Sequence, residues 1–241
     1  VSIMDNQART TPAIDLGLIR GLYREHAGAL HAVRESQRAL RRHRPAMKTQ
    51  LDDVEAEITY LLLRYFRPAK VVEIGSLHGW STCWILHALA DNGDGRLITL
   101  DLLDTAAWTV PRPLATGRWE FRQGDARTLT TDWMTELDYL FIDADHRARF
   151  ARWYLGDVFP RLRPGTPVSV HDVFHRAKPL PLTEGAELVR WLESTGTPYF
   201  TPAPVRAVDV AAELAEVRRE LGLAAPVHTG RDNPMVYFRL P

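Results

Sequence analysis

From Lys70 to Val170 the sequence alternates short apolar runs with longer amphipathic ones, and this alternation restricts the fold more than any other feature. "KVVEIG", "RLITLD", "WEFRQGD", "LDYLFIDAD" and "PVSVHD" read as strands, while "STCWILHALA", "FARWYLGDVFPRL" and "EGAELVRWLEST" read as helices. Near-continuous apolar strands have no polar face to offer water, so both faces of the sheet are expected to be covered. Right-handed crossovers then predict a parallel, doubly wound α/β sheet, closed by strands at "PYF" and "MVYFRL". Such sheets bind ligands beyond the carboxyl ends of their strands. Glu73, Asp101, Asp143 and Asp172 all close or follow strands, which gathers the candidate chemistry at one edge.

Upstream, Leu16, Ile19, Leu22, Tyr23, Leu30, Val33 and Leu40 recur at helical spacing and predict one helix from residue 13 to about 43, stopped by Pro45. A second helix is expected from near Leu51 to Pro68, with acids in its first turn where the helix dipole favours them. Residues 1–56 are therefore expected to form an N-terminal helical extension, serving as a cap or as the interface of a homodimer. Residues 57–241 are expected to form the sheet domain, with an insertion at 202–232. The basic run Arg34, Arg38, Arg41, Arg42, His43 and Arg44 reads as a solvated helix face.

Lys+Arg and Asp+Glu both total 30, a balance that argues against nucleic acid or an anionic membrane as partner. The single cysteine, Cys83, forms no intrachain disulfide and is expected to be buried and inert. No run approaches the roughly 18 apolar residues of a membrane span. "VSIMDNQARTTP" lacks the pattern of a signal peptide, so the expected location is the cytoplasm.

"EIGSLHG" is the stretch most suited to a small molecule. It is not G-x-G-x-x-G, so the dinucleotide fingerprint is missing, and a nucleotide-binding oxidoreductase becomes the weaker reading. Glu73, directly before the turn, suits a cationic ligand better than a pyrophosphate, and free N–H groups at the next helix can take a carboxylate. Asp101, ending the following strand, can accept both hydroxyls of a ribose. An ammonium, a carboxylate and a ribose in one ligand would suit this junction.

At this point the chain resembles the class I S-adenosylmethionine-dependent methyltransferases, most closely the catechol and caffeoyl-CoA type O-methyltransferases of small molecules. The likeness runs from about Lys70 to Phe174 and rests on "EIGSLHGWST", "GRLITLD", "QGDA" and "FIDADHRARF" in that order. It implies a Rossmann-like methyltransferase fold with a mostly parallel, seven-stranded sheet and S-adenosyl-L-methionine as cofactor. Carried over by position, it implies Glu73, Gly75, Ser76 and Gly79 around the methionine portion, Asp101 at the ribose, and Leu102 among the cofactor-binding residues. It implies Asp125 and Ala126 near the adenine and Asp143 near the methyl-transfer centre. Asn/Asp-Pro-Pro-[Tyr/Phe], the motif of amino-group methylation, is missing.

Methyl transfer to oxygen requires an in-line acceptor, removal of its proton and exclusion of water. The resembled group uses a divalent metal held by an Asp and an Asp-Asn pair, positions that here carry Asp143 and His171-Asp172. Mg²⁺ tolerates histidine poorly, so Mn²⁺, Fe²⁺, Co²⁺ or Zn²⁺ would suit Asp143, His171 and Asp172 better. Alternatively His171 is itself the base. His146 falls where the resembled enzymes carry a lysine, and an imidazole there can deprotonate a hydroxyl near neutral pH. His78 is expected to pack the loop, and Arg147 and Arg149 to be solvated. The proline-interrupted loop "TVPRPLATG", flanked by Trp108 and Trp119, is expected to shape an aromatic acceptor pocket. Intact Asp143, His146 and Asp172 argue against a non-catalytic protein that only binds the cofactor. Abundant arginine with sparse lysine suggests a GC-rich bacterial gene, and hence a natural-product hydroxyl or carboxyl as acceptor.

Overall fold

Three helices, α1 (Leu16–Glu25), α2 (Ala27–His43) and α3 (Asp53–Phe66), precede the central strand β1 (Lys70–Ile74) in the computed structural model, which describes residues 13–230 and 232–241. There follow α4 (Trp80–Asn92), β2 (Arg96–Asp101), the short α5 (Thr105–Thr109) and α6 (Arg112–Ala115), β3 (Trp119–Gln123) and β4 (Tyr139–Ile142). The remainder comprises α7 (Ala148–Trp153), β5 (Pro167–Val170), α8 (Glu184–Thr195), β6 (Tyr199–Phe200), α9 (Val208–Glu220) and β7 (Val236–Arg239). The sheet order is β3-β2-β1-β4-β5-β7-β6. The first five of these strands are parallel, and β7 runs antiparallel to both β5 and β6.

The two-residue period of the strands divides their side chains between two cores. Val71, Leu97, Tyr139 and Phe141 join the core that holds α1 to α4, whereas Val72, Ile98, Leu140 and Ile142 join the one beneath α7 and α8. Both faces are thus covered, as the apolar strands predict. β1 and β4 pair from Val71↔Tyr139 to Ile74↔Ile142, so the loops after them emerge side by side.

The predicted N-terminal helix is divided at His26. α1 packs on α3 and α9 whereas α2 packs on α4, so the break redirects the chain between two docking surfaces. Ile19, Leu22, Tyr23, Leu30 and Val33 are buried in the shared core. At roughly 1.5–3 kcal/mol for each large apolar side chain, this makes α1 and α2 part of the structural unit. Among the described residues neither helix keeps a large exposed apolar side chain with which to form the expected dimer face. The division expected between residues 56 and 57 falls inside α3. α3 begins with a capping box: Asp52 accepts from the Val54 and Glu55 amides, and Glu55 accepts from the Asp52 amide. A cap of this kind contributes about 1 kcal/mol.

The basic run is only partly the solvated face expected: Arg41, Arg42, His43 and Arg44 are exposed, but its first half turns inward. Arg34 is buried and donates to Glu57, Asp53 and the carbonyl of Ala225, while Arg38 and Arg41 donate to the carbonyls of Ala225 and Val227. Arg218 of α9 meets Glu57 from the other side at 2.8 Å. Four charged groups and the Tyr23 hydroxyl, which donates to Glu57, thereby fasten the 202–232 insertion to the N-terminal helices. For Arg34 and Arg38 the solvated reading failed because they reach carbonyls of the insertion nearly two hundred residues away and, for Arg34, acids on the next helix. Cys83 is buried, and burial pushes its thiol well above the ordinary range, as expected for an inert residue. The N-terminal stretch read for a signal peptide lies outside the described residues, and among those described no helix is long and apolar enough to cross a membrane.

Candidate functional site

A cleft of about 290 Å³ opens at the carboxyl ends of β1 to β4. The loop after β1 contributes Gly75, Ser76 and Leu77, and the end of β2 contributes Leu100, Asp101 and Leu102. Gly124 to Arg127 follow β3, and Asp143 to His146 follow β4. Gly75 adopts φ +87°, and a Cβ there would overlap the Asp143 carbonyl of the neighbouring loop. Only glycine permits both the left-handed backbone and this crossing. Asp101 fixes the loop it faces. Its Oδ2 accepts from the Ser76 amide at 2.7 Å, the Leu77 amide at 2.8 Å and the Ser76 hydroxyl at 3.0 Å. Asp125 is held by Arg127, whose guanidinium keeps the carboxyl below its ordinary range.

Glu73 and Gly79 do not line the cleft. Glu73 is fully buried beneath the loop, accepting from Ser81 at 2.5 Å, Thr82 at 2.7 Å and Thr99 at 2.8 Å. Burial raises its pKa to about 7 despite those three donors. Its side chain points toward α4 because it shares the parity of Val71, on the face of the sheet that α4 covers. Gly79 caps α4 at φ +77°, where a Cβ would press on Val110. Its role in this structure is close packing.

At the β4 end of the cleft, one donor atom each from Asp143, His146 and Asp172 lie within 4.8 Å of one another. His146 Nε2 is 3.1 Å from Asp172 Oδ2, and its Nδ1 is 3.5 Å from the buried carboxylate of Glu184. The hydrogen bond to Glu184, reinforced by Asp172 and Asp143, raises the His146 pKa against the effect of burial. Burial in turn lifts Glu184 to about 7. His171, expected as a ligand or base, lies beneath this group with its side chain only 8% exposed. Its Nδ1 is 3.2 Å from Asp143 and 3.0 Å from Asp172, and its Nε2 is 3.3 Å from Glu55. Although burial opposes the cation, Asp143, Glu55 and Asp172 together raise the His171 pKa well above its ordinary value. Asp172, itself at φ +57°, also meets His175 at 2.9 Å. Burial would raise the Asp172 pKa, but His171, His146 and His175 hold it far below the usual carboxylate range.

The structure therefore brings together Gly75, Ser76, Asp101, Leu102, Asp125, Ala126, Asp143 and His146 in one cleft. A smaller cavity beside it holds His171 and Asp172, and the two share Gln50 and Asp143. Sequence reasoning missed Glu55, Glu184 and His175, which reach the centre from α3, α8 and the loop after β5. Arg149 is solvated as expected, at the rim of the cleft, with Asp145 3.3 Å from it. His78 packs the loop as expected, accepting from the Lys48 amide. Trp108 is 72% exposed, and Trp119 lies in β3, donating to Thr99, so neither tryptophan lies beside the Asp143–Asp172 centre. The segment between them continues as α5 and α6 and packs Ala106 and Val110 against Gly79.

Comparison with known proteins agrees with this architecture. Residues 72–173 match a family described as a methyltransferase domain. A catechol O-methyltransferase of Niastella koreensis is 31% identical over 137 residues, 52% of this chain and 59% of that protein, so the match spans less than two thirds of the relative. A candidate caffeoyl-CoA O-methyltransferase from Staphylococcus aureus superposes with a TM-score of 0.60 at 14% identity, over 94% of this chain and 100% of that one. The O-methyltransferase TomG of Streptomyces achromogenes, involved in tomaymycin synthesis and solved with S-adenosylmethionine, superposes with a TM-score of 0.51 at 18% identity, over 86% and 88%. The two superpositions establish the fold, while the family match covers less than half of the chain and the catechol O-methyltransferase match less than two thirds of that relative. Residues 72–173 are thus similar to a methyltransferase domain, on a Rossmann-like sheet shared with solved O-methyltransferases.

Proposed function

We propose that the protein is an S-adenosylmethionine-dependent O-methyltransferase acting on a hydroxyl of a small molecule. The observation that carries this reading is the meeting of two features at one strand edge. A cleft built on Gly75, Asp101 and Asp125 adjoins the Asp143–His146–Asp172 group through Asp143 itself. When bound, the cofactor supplies a sulfonium methyl. Asp101 would face the ribose of that cofactor, Asp125 and Ala126 would flank its adenine, and Leu102 would line the cleft beside Asp101. Glu73 acts beneath the loop as a positioning residue through Ser81, Thr82 and Thr99.

At the acceptor side, His146 takes the hydroxyl proton at Nε2. Glu184, at Nδ1, fixes the tautomer and offsets the charge the imidazole acquires. His171 braces Asp143 and Asp172 from below. A second reading is favoured by the 4.8 Å grouping: Asp143, His146 and Asp172 would hold a divalent metal, which supplies a lowered acceptor pKa. Two carboxylates and one imidazole suit Mn²⁺, Fe²⁺, Co²⁺ or Zn²⁺ better than Mg²⁺. Involvement of TomG in tomaymycin synthesis supports a natural product as acceptor. Titration calorimetry with S-adenosylhomocysteine tests the proposal. Binding in the micromolar range is expected, and no heat at high micromolar ligand would overturn it.

A further inference from the structure

Between α2 and α3, residues 47–52 are tied down almost one by one. Met47 and Leu51 are buried in the core that holds α1 to α4. The Lys48 amide donates to His78 Nδ1 at 3.2 Å, and the Thr49 hydroxyl lies 3.1 Å from His228 Nδ1. The Leu51 carbonyl accepts from Trp80 Nε1 at 3.0 Å, and Asp52 caps α3. Gln50 is the exception. It is exposed, and among the described residues its carboxamide makes no hydrogen bond. Neighbours fastened on both sides hold its backbone, so the amide is presented from a fixed stem.

Gln50 is also wall to two neighbouring cavities. It borders the cofactor cleft with Ser76, Asp101 and Asp143, and it borders the cavity of about 210 Å³ that holds His171, Asp172 and His175. Asp143 is the other residue that lines both. If methyl transfer takes place at Asp143, a side chain in this position faces the acceptor as well as the cofactor.

The smaller cavity is rich in hydrogen-bond acceptors and poor in donors. Its carboxylates, Asp52, Glu55, Asp143, Asp172 and Asp232, only accept when ionised. Its imidazoles are engaged at both nitrogens, His171 with Asp143 and Asp172 on one side and Glu55 on the other, His175 with Asp172 and Asp232. Among the described side chains that line it, the Gln50 carboxamide is the one with free N–H groups. A hydroxyl proton entering here meets many partners, whereas an oxygen lone pair meets this one.

From that imbalance we infer that Gln50 is a specificity-determining residue of the acceptor site, donating through Nε2 to a second oxygen that the acceptor carries beside the hydroxyl to be methylated. This rests on the proposed methyl-transfer reading and deepens it. A hydroxyl compound without the second oxygen leaves the amide unmet and gains nothing from it.

The test measures binding of catechol and of phenol to the full chain saturated with S-adenosylhomocysteine, by titration calorimetry, in the wild type, Gln50→Leu and Gln50→Glu. Leucine removes the amide at similar volume, and glutamate keeps its shape without the N–H donors. Both variants should bind catechol about five- to tenfold more weakly than the wild type, the range of one lost hydrogen bond, while Gln50→Leu changes phenol by less than about twofold. A contribution from a bound ion is common to the three proteins and cancels in the comparison. Equal loosening of catechol and phenol, catechol affinity retained in either variant, or no catechol binding to the wild type overturns the inference while the methyltransferase reading stands. Failure of S-adenosylhomocysteine itself to bind overturns both.

Discussion

Glu55 Oε2 lies 3.3 Å from His171 Nε2, so the residue that closes the capping box of α3 also holds the histidine behind the reaction centre. Its other oxygen accepts from the Met235 amide at the start of β7. Removing it would strip partners from two backbone amides and from a buried imidazole at once. Glu55→Ala is expected to cost about 2–5 kcal/mol in urea denaturation, because buried groups left without partners carry their full desolvation penalty. Glu55→Gln keeps the volume and one of the two acceptor oxygens and should cost less. Equal losses in the two variants would refute this account.

Glu73 gives the fold a pH dependence of definite sign. Its carboxyl titrates near pH 4.5 when solvated and near 7 in the folded protein. Between those values the folded state binds a proton that the unfolded state does not. Stability therefore falls as pH rises from about 4.5 to about 7, by roughly 2–4 kcal/mol from this group. Glu73→Gln mimics the protonated form and should remove that descent. Denaturation midpoints of both proteins from pH 5 to pH 8 check it, and parallel curves would count against a buried, proton-binding Glu73.

The Asp143–His146–Asp172 group separates a metal from a bare base. If the three residues hold a divalent ion, Mn²⁺ should bind in calorimetry, and Asp172→Ala should weaken it by one to two orders of magnitude or more. Chelator should then abolish methyl transfer, and Mn²⁺ should restore it. Full activity in EDTA, with Asp172→Ala tolerated, would leave His146 as the base without a metal.

Two glycines with similar backbone angles should respond differently to alanine. Gly93 ends α4 at φ +74° with open space around it, so Gly93→Ala should cost about 1 kcal/mol. Gly75, at φ +87°, crosses the Asp143 carbonyl, and Gly75→Ala should cost about 3 kcal/mol or more and abolish S-adenosylhomocysteine binding. Thermal melts with and without ligand provide the comparison.

The strands and their terminal acids were legible in the sequence because a buried parallel strand leaves few alternatives for its side chains. Asp101, Asp143 and Asp172 fall where the chain must leave the sheet, so position and chemistry coincide. Glu73 deceived for the same reason that it was noticed: one residue of strand parity sends its side chain toward α4 instead of into the cleft. His171 and His146 could not be ranked without knowing that Glu55 and Glu184 stand behind them, contacts that span over a hundred and nearly forty residues. Arg34 looked solvated like its exposed neighbours Arg41 and Arg42 because nothing local reveals that the insertion returns to cover it.

That return has a consequence for anyone wishing to redesign the protein. The insertion is riveted to α2 and α3 through Arg34, Glu57, Asp53 and Arg218. Transplanting the insertion alone into another methyltransferase scaffold would carry Arg218 away from both its acids and leave the segment without its anchorage. The insertion and α2–α3 should therefore be exchanged as a pair of segments, and chimaeras that move only one should misfold or melt at lower temperature.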